Sequence, residues 1–197
     1  MAVTDNYKKH THKNPIEKFL IGIFYAVLLQ EITKLKPQKI LDVGCGEGFT
    51  LKKLADARIG KTREGIEYSD EAIRLGKKLF PAITITKGSI YELPYKANSF
   101  DVVVCTEVLE HLDDPKKAFQ ELARVSSSYV VLTVPNEPFW MMAQLLRGKN
   151  IRRFGNDIEH INHWTVLGFR KFVGQVLRIR KTRIALFWTL VVAQKEH

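Results

Sequence analysis

Apolar positions along this chain fall into two kinds of block, short β-rich runs and longer stretches with helical spacing, and the two alternate. Ile40, Leu41 and Val43 form the first short run, and Phe49 to Leu54 then reads as a helix. Arg63 to Tyr68 predicts a second strand, and Ser69-Asp70 caps a helix over Glu71 to Leu79. Pro81 breaks that helix, and the β-branched run Ile83 to Thr86 predicts a third strand. Ser99 to Cys105 is too uniformly apolar to be half exposed and reads as a buried fourth strand. Asp113-Asp114-Pro115 opens a helix ending near Val125, and Tyr129 to Val134 makes the fifth strand. Ahead of these, Asn14-Pro15 starts a helix that runs to about Leu35 and stops before Pro37. Such alternation predicts a doubly wound α/β sheet in a three-layer sandwich.

Beyond Asn136 the pattern changes. An amphipathic stretch containing Phe139, Trp140, Met141, Met142, Leu145 and Leu146 precedes a basic loop with Arg147, Lys149, Arg152 and Arg153. Apolar residues there either pack the core at helical spacing or form a lid over an acceptor, whose phosphate or carboxylate the arginines would meet. A helix over Val166 to Val173 follows, and then two β-rich runs, Val176 to Arg180 and Ile184 to Ala193. A few mostly basic residues separate those runs, which predicts a hairpin-like antiparallel pair at the sheet edge. A length of 197 residues suits one domain. Its expected parts are a helical cap over 1–38, a cofactor-binding core over 39–135, a substrate lid over 136–165, and a helix with a terminal β-hairpin over 166–197.

Charge is unevenly spread. The net +10 divides into +4 over residues 1–39, −2 over 40–146 and +8 over 147–197. The basic C-terminal quarter is either a solvated face or a surface for an anionic substrate, RNA or lipid. Lys8, Lys9, Lys13 and Lys18 ahead of the apolar run Phe19 to Leu29 imitate a signal peptide. That run is shorter than the ~20 residues of a transmembrane helix and no small-residue cleavage site follows, so a helix packed on the sheet is expected. Cys45 and Cys105 fit neither a disulfide framework nor a zinc ribbon, and reduced thiols point to a cytoplasmic protein.

Candidate chemistry concentrates in Ile40 to Thr50, I-L-D-V-G-C-G-E-G-F-T. A buried strand feeding Gly44-x-Gly46-x-Gly48 and a helix N-terminus is a nucleotide-binding corner. A dinucleotide fingerprint wants its third glycine one residue later, which disfavours an NAD-dependent oxidoreductase. Asp42 suits an ammonium group better than a pyrophosphate. This stretch resembles motif I of the class I S-adenosylmethionine-dependent methyltransferases, and the resemblance extends over about Leu35 to Pro135. It implies a Rossmann-like, mostly parallel seven-stranded sheet with an antiparallel C-terminal strand.

The resemblance further implies S-adenosyl-L-methionine held by Asp42, Gly44, Cys45, Gly46 and Gly48. Glu67, 19 residues after Gly48, would grip the ribose hydroxyls. Tyr68, Ser89 and Ile90 would meet adenine, with Ser89 standing where the family often has aspartate. Phe100 to Leu112, with L-P-Y and D-P-K-K-A-F-Q-E-L-A-R-V, resembles the branch acting on small molecules, including ubiquinone-pathway enzymes.

A second constellation, Glu107, Glu110 and His111, has the spacing E-x-x-E-H, and His160 and His163 follow in E-H-I-N-H-W-T. Carboxylates and imidazoles meeting over the methyl group would suit Mg²⁺ or Mn²⁺ and activate an acceptor hydroxyl. This resembles the metal site of small-RNA 2′-O-methyltransferases, with His160 as the matching histidine. Without a metal, the residues only hydrogen-bond, or His111, His160 or His163 serves as general base. Glu107 also belongs to the expected cofactor wall. The expected function is methyl transfer to oxygen or nitrogen of a small-molecule, anionic acceptor. RNA 2′-O-methylation and a non-catalytic S-adenosylmethionine-binding regulator are the alternatives.

Overall fold

In the computed structural model, which describes residues 4–11, 14–137 and 160–196, β1 (Lys39–Val43) is an interior strand, third from one edge of a seven-stranded sheet. The remaining strands are β2 (Thr62–Glu67), β3 (Thr84–Lys87), β4 (Phe100–Thr106), β5 (Ser126–Pro135), β6 (Arg178–Ala185) and β7 (Trp188–Gln194). Their order is β3-β2-β1-β4-β5-β7-β6, with β7 alone antiparallel to its neighbours. Successive side chains leave a strand on opposite faces, so β1 and β4 feed two cores. Leu41, Val43, Val103 and Cys105 pack with Phe119, Leu122 and Phe169 on one side. Ile40, Val102 and Val104 pack with Phe24, Leu28, Ile32 and Trp188 on the other. Burial on both faces explains why these strands read as unbroken apolar runs.

Helix α2 (Pro15–Lys34) supplies Phe24, Tyr25, Leu28 and Ile32 to the second core, so the run Phe19 to Leu29 belongs to a core helix. Its N-cap Asn14 accepts from the Ile16 N–H at 2.9 Å, and Pro15 sits where no intrahelical N–H is needed. Among the described residues no helix is long and apolar enough to cross a membrane. Helices α3 (Phe49–Asp56), α4 (Asp70–Leu79), α5 (Pro115–Val125) and α6 (Val166–Gly174) complete the layers.

Two elements differ from the expectation. A short helix, α1 (Asp5–Thr11), precedes α2. Its side chains are mostly polar, so no hydrophobic period announces it, and its contacts are tertiary. The expected basic connector also lies inside a strand. Lys181, Thr182 and Arg183 pair with Val192, Val191 and Leu190 in β7, and the turn falls at Leu186-Phe187. An edge strand can carry solvated charges without penalty, and its register is set by the buried neighbour.

Gly76, on the buried side of α4, packs against the glycine turn that follows β1. A Cβ there would stand 2.7 Å from the Glu47 carbonyl oxygen and 2.9 Å from Ile85 Cδ1. A backbone carbonyl cannot swing aside. Gly76→Ala is therefore expected to destabilise the protein by about 1–2 kcal/mol despite alanine's better helix propensity. Urea unfolding checks this, and an unchanged midpoint would show that the turn yields.

Candidate functional site

The turn after β1 is strapped to β2 by the Gly44 and Cys45 N–H groups, which both donate to Ile66 O, at 2.8 and 3.1 Å. Gly44 and Gly46 have φ of +71° and +54°, a region that costs other L-residues energy. A Cβ at Gly44 would overlap a Val108 methyl, and one at Gly46 would meet the Asn6 amide at 2.6 Å. Glu67, at the end of β2, closes the corner. Its carboxylate accepts from the Gly46, Tyr68 and Ser69 N–H groups, each at 2.8 Å. Three amides therefore hold it in one orientation.

These groups line a cavity of about 710 Å³ at the C-terminal ends of β1, β2 and β4. Crevices at this switch in strand order are where doubly wound sheets bind ligands. Gly44, Cys45, Gly46, Glu67, Tyr68, Ser89, Ile90, Glu107 and His111, all expected site residues, line it. Gly48 is not on that wall. It caps α3 with φ +87° and packs beside Ile83 and Ile85. Asp42 lies below the turn, fully buried, with neither carboxylate oxygen hydrogen-bonded among the described residues. Burial, and then the nearby Glu67 charge, push its carboxyl up to about 7.

The N-terminal segment roofs the cavity, which the hydrophobic pattern did not reveal. Thr4 and Asn6 both donate to the buried Glu47 carboxylate. The His10 ring stacks on Phe49 with centroids 4.3 Å apart and planes 8° apart, and its Nε2 lies 2.7 Å from the Tyr25 hydroxyl. Burial depresses the His10 imidazole to about 4, which keeps it neutral near pH 7. The only legible signal was Glu47, a buried acid inside the glycine turn that demands donors.

Beyond β4 the chain makes a tight turn, Leu109–His111. Ligand atoms of Glu110, His111 and His160 lie within 4.8 Å of one another. Glu110 is fully buried with both oxygens unpartnered among the described residues. Burial, followed by the neighbouring Glu107, holds its carboxyl well above the usual carboxylate range. The segment carrying His160 is stitched on by backbone: Ile161 and Asn162 N–H donate to Glu110 O at 2.8 and 2.9 Å. Asn162 Nδ2 adds bonds to Leu109 O and Leu112 O at 3.2 and 2.7 Å.

Glu107, expected in the same set, is not among those converging atoms. It adopts φ +58°, and its Oε2 accepts from the Trp188 indole at 2.7 Å and lies 3.6 Å from Lys9 Nζ. Left-handed backbone at a non-glycine residue aims that carboxylate toward β7. His163 is largely exposed, 3.5 Å from Glu137 Oε1. The expected apolar lid and Arg147, Lys149, Arg152 and Arg153 lie outside the described residues.

Strand order, glycine corner and braced carboxylate together define a doubly wound α/β domain with its pocket at the β1–β4 switch. Residues 41–132 match the family model described as a methyltransferase domain, and this match, with the methyltransferases among the relatives, supports the expected resemblance to the class I S-adenosylmethionine-dependent methyltransferases. The chain is 33% identical over 98 residues to norajmaline N-methyltransferase of Rauvolfia serpentina, covering 47% of this chain and 33% of that one. It is 26% identical over 169 residues to the small RNA 2′-O-methyltransferase of Rattus norvegicus, covering 77% and 41%. The fold resembles that of magnesium protoporphyrin IX methyltransferase from Synechocystis PCC 6803, solved with S-adenosylhomocysteine bound, at a TM-score of 0.71. There 16% of residues are identical, with 96% of this chain and 92% of that one covered. The chain spans about a third to two fifths of the length of these two curated relatives.

Proposed function

We propose that the protein transfers the methyl group of S-adenosylmethionine to an oxygen of a small-molecule acceptor, with Glu110, His111 and His160 holding a divalent cation beside it. The observation carrying this reading is the convergence of those three side chains next to the cofactor cavity, with the Glu110 carboxylate buried and unpartnered among the described residues. A buried carboxylate without partners costs several kcal/mol unless a proton or cation compensates it. Two imidazoles and one carboxylate fit Mn²⁺ better than Mg²⁺, which prefers all-oxygen ligands. When bound, such a cation supplies Lewis acidity that lowers the pKa of an acceptor hydroxyl.

For the methyl donor, we assign the ribose hydroxyls to Glu67, whose carboxylate is pre-oriented, and the amine to Asp42. Tyr68, Ser89 and Ile90 take the adenine side, while Gly44, Cys45 and Gly46 let backbone approach the ligand. The sulfonium methyl is already activated, so the chain's work is alignment and exclusion of water under the Thr4–His10 roof. A second reading, transfer to a ribose 2′-oxygen of RNA, draws on the alignment with the rat enzyme across 77% of this chain.

Methyl-labelled S-adenosylmethionine incubated with protein and cell extract tests both. Label in the small-molecule pool that disappears with chelator and returns with Mn²⁺ is the expected result. Label in RNA would favour the second reading. Undiminished label in excess chelator would remove the cation. No label despite retained S-adenosylhomocysteine binding would leave a non-catalytic cofactor-binding regulator.

A further inference from the structure

Glu137 belongs to neither the glycine corner nor the E-x-x-E-H run, yet its side chain is only 5% exposed and touches the cation cluster. It follows Asn136 just beyond β5, and its N–H donates to Trp164 O at 3.1 Å, so the backbone there is anchored. Its Oε1 lies 2.8 Å from Nδ1 of His160, whose side chain is 7% exposed. An ionised carboxylate only accepts hydrogen bonds, so the ring nitrogen facing it must carry the proton. Nε2 of His160 is then the unprotonated nitrogen, and the ring stands 5.1 Å from that of His111 at 66°.

We infer that Glu137 is a positioning residue: it fixes the Nδ1–H tautomer and the ring orientation of His160, so that Nε2 is the atom offered to a divalent cation alongside Glu110 and His111. The inference rests on the cation reading above. A carboxylate behind a ligating imidazole also raises the basicity of the ligating nitrogen. Because Asn162 and the Ile161 N–H hold this segment to the 109–112 turn independently, loss of the Glu137 carboxylate should free the ring without detaching the segment.

The test uses wild-type protein, Glu137→Ala and Glu137→Gln, with Mn²⁺ binding followed by electron paramagnetic resonance and the His160 tautomer by ¹⁵N NMR without metal. Glu137→Ala is expected to weaken Mn²⁺ binding about 10–100-fold while S-adenosylhomocysteine affinity stays within about two-fold. Glu137→Gln keeps an acceptor oxygen and should recover most of the Mn²⁺ affinity. Wild type and the glutamine variant should show Nδ1–H, and the alanine variant should lose that preference. Equal Mn²⁺ affinity in the alanine variant, or an Nε2–H tautomer in wild type, would overturn the inference. Absence of Mn²⁺ binding in wild type would overturn the cation reading instead, and the wild-type tautomer then decides the role of Glu137 even if Glu137→Ala fails to fold.

Discussion

Asp42→Asn should raise the melting temperature of the cofactor-free protein by about 3–10 °C at pH 8 and weaken S-adenosylhomocysteine binding about 10–100-fold. The stability gain follows from a fully buried carboxylate with no hydrogen bond among the described residues. Its folded-state pKa is raised from 3.8 to about 7, so the folded protein binds more protons than the unfolded chain between those values. Stability is therefore lost as pH rises through that window, and the loss is complete above it. A three-unit shift sets a ceiling of about 4 kcal/mol, and relaxation of the unfolded and folded states lowers the gain to about 1–3 kcal/mol. The asparagine removes the charge that is penalised, so its advantage should shrink between pH 8 and pH 5. The same charge is the one assigned above to the cofactor's ammonium, so affinity is expected to move the other way. Scanning fluorimetry at both pH values and calorimetric titration check the two halves. A variant less stable than wild type at pH 8, or one that binds with unchanged affinity, would show that Asp42 is compensated by something other than the cofactor.

Glu110→Gln should lower turnover by about 100-fold or more and abolish its response to Mn²⁺, while S-adenosylhomocysteine affinity stays within about two-fold. Glutamine keeps the volume and removes the charge, so packing of the Leu109–His111 turn is preserved. Glu110 sits 0% exposed with both oxygens unpartnered among the described residues, and the cofactor corner does not use it. Cation binding should therefore fail while the cofactor half of the site survives. The apo variant is also expected to be at least as stable as wild type, because a desolvated acid is replaced by a neutral amide. Full Mn²⁺-dependent turnover in this variant would falsify the cation assignment. Under the function proposed above, Asp42 and Glu110 share a logic in which each burdens the free protein and would be balanced by a ligand of opposite charge.

How much of this was legible beforehand follows from the range of the forces involved. The sheet core, the helix caps at Asn14, Ser69 and Asp114, and the glycine corner were readable because each is specified by neighbours within a few residues. Hydrophobic period, a capping side chain and positive φ are all local conditions. The cavity wall was legible for the same reason, since Glu67 ends β2 while Ser89 and Glu107 lie just past β3 and β4, and the C-terminal edges of these strands must meet in a doubly wound sheet.

The remainder depended on long-range contacts. Thr4 and Asn6 reach Glu47 across 43 and 41 residues, and nothing in the polar sequence of α1 announces that it will roof the site. The β6–β7 turn moved to Leu186-Phe187 because pairing with buried β7, rather than local polarity, set the register of an exposed edge strand. Glu107 matched the metal spacing, but a left-handed backbone and the Trp188 indole turned its carboxylate elsewhere. Glu137 carried no motif and took its place beside His160 only when β5 met the segment before α6, 23 residues further on. Sequence alone determined the domain, its cofactor corner and the residue types available for chemistry. Tertiary structure decided which of them converge, because buried polar groups are satisfied by whatever the packed elements bring within about 3 Å, regardless of separation along the chain.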